Sequence, residues 1–152
     1  MKIQWSTDYE LGIGVIDAQH KRIVEYINDV HDIAENRGGR EEIDKVLHLL
    51  VDYTLSHFAF EEALLEESGY AELPEHQVTH RMFEKQIQVL QERFANGDDV
   101  AIELADVLQD WLLKHIMTDD QSYRATVKNR FLNSTPEKHA SWIKRATKRF
   151  FS

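Results

Sequence analysis

Residues 41–67 read EEIDKVLHLLVDYTLSHFAFEEALLEE, and their apolar side chains recur at steps of three and four rather than alternating. That spacing predicts an amphipathic α-helix. Two polar residues, His57 and Glu61, lie on the same apolar stripe, four positions apart. A step of four places both side chains on one face of a helix, so an imidazole and a carboxylate are expected to project together into the core.

The same spacing continues on both sides of this helix. It predicts further helices at about 17–36, 75–95 and 100–121, separated by turn signals at 36–39, 68–74 and 96–99. Connections this short place neighbouring helices antiparallel, so the chain is predicted to be all-α, with an up-down-up-down four-helix bundle. Each inner face carries at least one of five histidines: His20, His57, His76, His80 and His115.

These five histidines and Glu61 raise a problem of burial. A single histidine on an apolar stripe is more often a hydrogen-bonded core residue than a metal ligand. Burying five of them with a carboxylate costs several kcal/mol per group unless they satisfy one another or a cation. Because the chain has no cysteine, a metal could be held only by imidazole and carboxylate, which accept iron, manganese, cobalt or zinc.

The spacing in the fourth helix leaves one ligand undecided. Ordinary helix geometry pairs His115 with Asp119, four residues on, rather than with Asp120, five residues on. A widened turn, or the end of the helix near Thr118, would instead let Asp120 point inward.

In order and spacing, these residues resemble the hemerythrin family, in its single-domain bacterial form. The resemblance covers roughly residues 3–132 and includes Trp5 and the segment Gly-Val-Ile-Asp at 14–17. It selects Asp120 over Asp119. The positions that match the family's metal ligands are His20, His57, Glu61, His76, His80, His115 and Asp120.

The resemblance implies a non-haem di-iron centre with an oxo or hydroxo bridge, in which Glu61 and Asp120 also bridge the two iron ions. It gives one iron three imidazoles and the other two, so the second iron keeps a position open where molecular oxygen binds reversibly. The implied function is oxygen transport, storage or delivery in the cell, without enzymatic activity. The imidazoles divide as His76, His80 and His115 on one iron, and His20 and His57 on the other.

Two other functions stay open from the sequence. An oxygen or redox sensor that acts through a separate partner would use the same centre, and so would an iron- or peroxide-handling protein. Six side chains are candidates for a dry wall around the centre: Ile23, Val24, Phe58, Trp111, Ile116 and Tyr123. Three further histidines are predicted not to be ligands: His31, His48 and His139.

Charge divides the chain into an acidic body and a basic tail. Residues 1–121 contain 10 lysines and arginines against 26 aspartates and glutamates, whereas residues 122–152 contain 8 against 1. The acidic body argues against nucleic acid as a partner. We expect a bundle domain at 1–133 and a basic helical extension at 134–152 that packs on the bundle. Membrane-surface contact through the tail is the alternative.

The sequence also gives an expectation for location. It contains no apolar run long enough to span a bilayer and no apolar signal region near the N-terminus. The chain is therefore expected to be a cytoplasmic monomer.

Overall fold

Helices make up almost all of the molecule, and the described residues contain no β-strand. The computed structural model describes residues 3–36, 38–132 and 135–151. A short 3₁₀ turn at Thr7–Tyr9 precedes the helices. The helices are α1 (Gly14–Glu35), α2 (Arg40–Glu67), α3 (Leu73–Ala95), α4 (Ala101–His115), a π-helical turn (Ile116–Asp120), α5 (Gln121–Leu132) and α6 (Pro136–Phe151).

The predicted all-α bundle with an additional C-terminal helix is confirmed. Helix α4, the π turn and α5 follow one another without a break and form the fourth long helix. Within the bundle, α1 and α3 each pack against α2 and α4. None of the helices described is long and apolar enough to cross a membrane.

Two predicted helix boundaries were wrong. The first helix begins at Gly14 rather than near 17, and the fourth continues to Leu132 rather than ending near 121. The continuation is stabilised by Tyr123 and Val127, which are four residues apart and fully buried. The predicted turn at 36–39 includes Arg37, and the predicted domain boundary lies at 133 and 134. These three positions are outside the described residues.

The N-terminal arm is held against the start of α1 by Asp17. Its carboxylate accepts hydrogen bonds from the backbone N–H groups of Leu11 (2.8 Å) and Gly12 (3.0 Å). Gly12 has a φ of +76°, a conformation that favours glycine. This turn directs the buried Leu11 into the bundle.

The core consists of two apolar clusters. One contains Ile23 and Phe58, and the other contains Ile16 and Leu64. Along α1 and α2, His20 and Glu61 therefore lie between the clusters, in a polar layer enclosed by apolar side chains.

Helix α6 packs on the bundle, as expected for the tail. Its Trp142 ring meets the buried Phe60 edge-on at 5.8 Å between ring centroids. Phe151 lies near Tyr53 on α2, at 4.9 Å, and Ala146 is buried between these contacts. The apolar face of the basic tail is thus covered by α2.

Candidate metal centre

The seven residues singled out in the sequence converge in the polar layer between the two apolar clusters. They come from all four long helices of the bundle, and each is 5% exposed or less. Side chains four apart on α2 and on α3 lie on one face, which brings each pair to the centre together.

Three imidazoles and Glu61 form the larger half of the centre. Their nearest ligand atoms all lie within 4.8 Å of one another. Nε2 of His80 lies 3.0 Å from Nε2 of His115 and 3.2 Å from Oε1 of Glu61. Nε2 of His76 is in direct contact with the same carboxylate oxygen.

Two imidazoles and the other oxygen of Glu61 form the smaller half. Nε2 of His20 lies 3.1 Å from Nε2 of His57, which is 3.3 Å from Oε2 of Glu61. The carboxylate of Glu61 therefore presents one oxygen to each half. This arrangement is the one that a carboxylate bridging two metal ions requires.

Asp120 lies between the halves from the opposite side. Its Oδ1 is 3.1 Å from Nε2 of His115, and its Oδ2 is 3.3 Å from Nε2 of His20. Both oxygens are buried, and neither makes a hydrogen bond of acceptable geometry among the described residues. A buried carboxylate in that situation is costly unless a cation satisfies it.

The π turn explains how Asp120 reaches the centre. A π turn bonds residue i to residue i+5, so it widens the helix by one residue and rotates position 120 onto the face of His115. Asp119 also meets the same ring, but at Nδ1, at 2.8 Å. The two aspartates left open by the sequence therefore take different nitrogens of one imidazole.

In three of the imidazoles, the outer nitrogen, Nδ1, points away from the centre and donates a hydrogen bond to a side-chain oxygen. Nδ1 of His57 donates to Oε1 of Gln19 (2.7 Å). The other two donate to carboxylates: Nδ1 of His80 to Glu62 (3.0 Å) and Nδ1 of His115 to Asp119 (2.8 Å). Because these oxygens only accept, the proton of each neutral ring is on Nδ1 and the lone pair is on Nε2.

The lone pairs converge where a metal ion fits. Nε2 of His80 and Nε2 of His115 face each other at 3.0 Å although both rings have their proton on the outer nitrogen. Such a contact is repulsive unless positive charge lies beside it. Two imidazole nitrogens bound to one ion at about 2.1 Å, at right angles, would be about 3 Å apart, so the donor set fits a transition metal.

The pKa shifts express the same demand for positive charge. Burial alone would raise the pKa of Glu61, but the four imidazoles around its carboxylate lower it well below its usual range. Burial alone would lower the pKa of His115, whereas the charge of Asp120 and the close approach of the Asp120 and Glu61 carboxylates to its ring raise it to about 11. In the metal-free chain, a proton on His115 takes the place of a cation.

Four of the dry-wall candidates belong to the first apolar cluster of the core, so the dry wall stays a prediction beside ordinary core packing. Ile23, Phe58 and Ile116 are fully buried beside the centre, and Val24 is 4% exposed. Phe58 stacks on the ring of His80 at 4.0 Å.

The remaining two wall candidates have more specific contacts. Trp111 is half-buried and stacks on His115 at 4.3 Å between centroids. Tyr123 is fully buried and not purely apolar, because its hydroxyl donates to Oε2 of Glu61 at 3.2 Å.

The other three histidines lie away from the centre. His31 is buried on α1, with Nε2 3.4 Å from Asp106. His48 is on the surface of α2, and His139 is on α6. They remain predicted non-ligands.

Three residues that position the imidazoles were not recognised in that role from the sequence: Gln19, Glu62 and Asp119. Only Asp119 had been considered at all, as a possible partner of His115. Gln19 could have been suspected, since it is a polar residue in line with the buried Ile16 and Ile23 of α1. Glu62 adjoins a predicted ligand, but adjacent residues point to different sides of a helix, so its contact with α3 had no local signal.

Comparison with known proteins agrees with this geometry. The profile of the hemerythrin HHE cation binding domain matches residues 11–127. A bacteriohemerythrin of Stenotrophomonas maltophilia is 43% identical over 149 residues, which is 97% of this chain and 96% of that protein. A myohemerythrin of Sipunculus nudus is 28% identical over 120 residues, 79% of this chain and 89% of that protein.

A solved structure shares the architecture as well. The crystal structure of a wild-type hemerythrin superposes with a TM-score of 0.77 at 32% identity, covering 82% of this chain and 97% of the other. The chain belongs to the hemerythrin family.

Proposed function

We propose that the chain binds two iron ions between Glu61 and Asp120 and uses them to bind molecular oxygen reversibly, for transport, storage or delivery. In this proposal Glu61 and Asp120 would each contribute a carboxylate to both ions, and the five imidazoles would supply the remaining protein ligands. Iron held there supplies reversible electron transfer to oxygen. The imidazoles are His76, His80 and His115 in one half and His20 and His57 in the other.

The observation that carries the proposal is the convergence of lone pairs in two unequal halves. The ligand atoms of three imidazoles lie within 4.8 Å of one another and of Glu61, and those of the other two form a second such group with the same carboxylate. The smaller half has one protein donor fewer, which leaves room for a small exogenous ligand beside His20 and His57. Membership of the hemerythrin family makes iron the metal, and oxygen the ligand, to test first.

The residues around the smaller half favour a neutral diatomic ligand. His20 follows Ile16 and precedes Ile23 on α1, and all three are fully buried. Such walls keep bulk water and excess protons away from a reduced metal. The hydroxyl of Tyr123 already donates a hydrogen bond to Oε2 of Glu61, at 3.2 Å.

The proposal is tested by metal analysis and optical spectroscopy of the purified chain. The chain is reduced without air, exposed to oxygen and degassed, and its absorption spectrum is recorded at each stage. We expect two irons per chain and a visible band that appears with oxygen and fades on degassing. One zinc per chain, or irreversible oxidation at first contact, would overturn the proposal.

Matched histidine variants connect the spectrum to the centre. His57→Ala removes a donor of the smaller half, so it should abolish the oxygen-dependent band and lower the iron content. His48→Ala removes an exposed histidine from the same helix and should change neither. Sustained consumption of oxygen with a reductant would instead favour an enzyme.

A further inference from the structure

A small polar cleft on the surface reaches one of the proposed ligands. It has a volume of about 80 Å³ and lies between the loop after α2, the first turns of α3, and the end of the π turn. Three carboxylates line it: Glu72, Glu75 and Asp119. The buried imidazole of His76 also borders it.

His76 is the proposed imidazole ligand nearest to solvent. It is 5% exposed, whereas the other four are between 0% and 2% exposed. Behind it, Nε2 of His76 lies 3.5 Å from Oδ1 of Asp120, a fully buried oxygen that makes no hydrogen bond with any residue that the structure describes. The cleft therefore leads from surface carboxylates, past one imidazole, to an unsatisfied internal carboxylate.

The segment that carries His76 is a helix end, which opens more easily than the middle of a helix. Helix α3 begins at Leu73, and its N-cap residue, Glu72, makes no side-chain capping bond. An uncapped first turn lacks about 1 kcal/mol of stabilisation, and helix ends open locally before helix centres do. His76 is in the first turns of α3, so it can move aside without unfolding the bundle.

We infer that this cleft is the route by which ferrous iron enters the buried centre, with Glu72 and Glu75 attracting the ion and His76 passing it inward. This inference rests on the proposed function, since it assumes that the centre holds iron. Surface carboxylates concentrate divalent cations, and they act through the long-range field, before any contact is made. Neutral oxygen gains nothing from such a field.

Hydrogen bonds hold the cleft in shape. The hydroxyl of Tyr70 donates to Glu72 at 3.2 Å and shares a hydrogen bond with Ser122 at 2.9 Å. Burial raises the pKa of Tyr70, Ser122 lowers it, and the charges of Glu72 and Asp119 raise it further, with a net increase. The tyrosine thus remains a neutral hydroxyl that ties the loop after α2 to the start of α5.

The test measures the rate of metal uptake rather than oxygen binding. Metal-free chain is mixed without air with Fe²⁺, and the loss of free Fe²⁺ is followed with a coloured chelator. The test variant is Glu72→Gln with Glu75→Gln. Asp119 is left intact, because loss of its hydrogen bond to His115 would change how tightly the metal is held as well as how fast it enters.

The control variant is Glu41→Gln with Glu42→Gln. It makes the same change of net charge, at exposed positions in the first turn of α2. At 1.5 Å per residue this turn lies about 24 Å along the helix from His57. A general effect of net charge would therefore slow both variants equally.

We expect the test variant to take up Fe²⁺ about tenfold more slowly at low salt, with the difference disappearing in about 0.5 M salt. Its final iron content should equal that of the unmodified chain, and the control variant should load at the unmodified rate. Equal rates for all three proteins, or equal slowing of both variants, would overturn the inference.

The same measurement separates this inference from the proposed function. Uptake of Co²⁺, followed by its own absorption, reports entry whether or not the iron-loaded chain binds oxygen. Slow Co²⁺ uptake by the test variant alone would support the route even if oxygen binding failed. Normal uptake by that variant would contradict the route even if oxygen bound reversibly.

Discussion

Replacing Gln19 by leucine should weaken one half of the metal centre and leave the other unchanged. The amide oxygen of Gln19 accepts a 2.7 Å hydrogen bond from Nδ1 of His57, and both residues are buried. That bond keeps the lone pair of His57 on Nε2, toward the centre. Leucine has a similar volume but cannot accept a hydrogen bond.

The size of the effect follows from the two states of His57. In the metal-free chain, the ring can move its proton to Nε2 and donate to Oε2 of Glu61, 3.3 Å away. In the metal-bound chain it cannot, so Nδ1–H stays buried without a partner. One such hydrogen bond is worth about 1 to 1.5 kcal/mol, which corresponds to roughly a tenfold loss of affinity.

The assay is a calorimetric titration of the metal-free chain with Co²⁺. We expect two binding steps, assigned to the three-imidazole and two-imidazole halves, and a tenfold weakening of the second step in Gln19→Leu. Gln86→Leu, at an exposed position on α3, is the control and should leave both steps unchanged. The reasoning is refuted if Gln19→Leu leaves both steps intact or weakens both equally.

Three further outcomes are expected. Trp142→Ala should lower the free energy of unfolding in urea by about 2 kcal/mol, because the half-buried indole loses its contact with Phe60. The control, Lys144→Ala at an exposed position, should leave the free energy of unfolding unchanged. An unchanged free energy of unfolding in Trp142→Ala would contradict the packing of α6. The pKa of His115 is about 11 in the fold against an ordinary value of 6.5, so its stabilisation of the metal-free chain is complete below pH 6.5 and is lost as the pH rises toward 11. Urea midpoints should fall over that range and flatten in His115→Gln, and rising midpoints would refute this. With free metal at about 1,000 times its Kd, removal of the metal should lower the free energy of unfolding by about 4 kcal/mol and the Tm by roughly 8 to 16 °C in calorimetry. An unchanged Tm would mean that metal does not bind the folded chain preferentially.

The positions of the proposed ligands could be predicted because they break a strong local pattern. His20, His57 and His115 interrupt apolar stripes that otherwise define the inner faces of helices. Helical periodicity then places them in one layer without any knowledge of tertiary contacts. The bundle and its polar layer were therefore accessible from the sequence.

The choice between Asp119 and Asp120 was not accessible from spacing alone. The residue pattern did not mark the π turn, so a step of four residues pointed to Asp119, whereas it is Asp120 that lies beside Nε2 of His115. The same rule was correct for Nδ1, where Asp119 binds. The family resemblance, rather than helix geometry, selected Asp120.

The contacts that position the imidazoles were also beyond the sequence. Glu62 reaches His80 on a neighbouring helix, at 3.0 Å, and that contact depends on the distance between two helices and on two rotamers. Similarly, the amphipathic pattern of α6 predicted a buried face but not that α2 would cover it. Pairwise helix geometry is set by the whole core.

The π turn also bears on which changes of length this chain can tolerate. Its extra residue allows two consecutive aspartates to hold opposite edges of one imidazole. A deletion of one residue between positions 116 and 119 would restore a regular α-helix. Only one aspartate would then lie on the face of His115, instead of one at each ring nitrogen. The fourth helix should therefore tolerate many substitutions along its outer surface, but not a frame-preserving deletion at this turn.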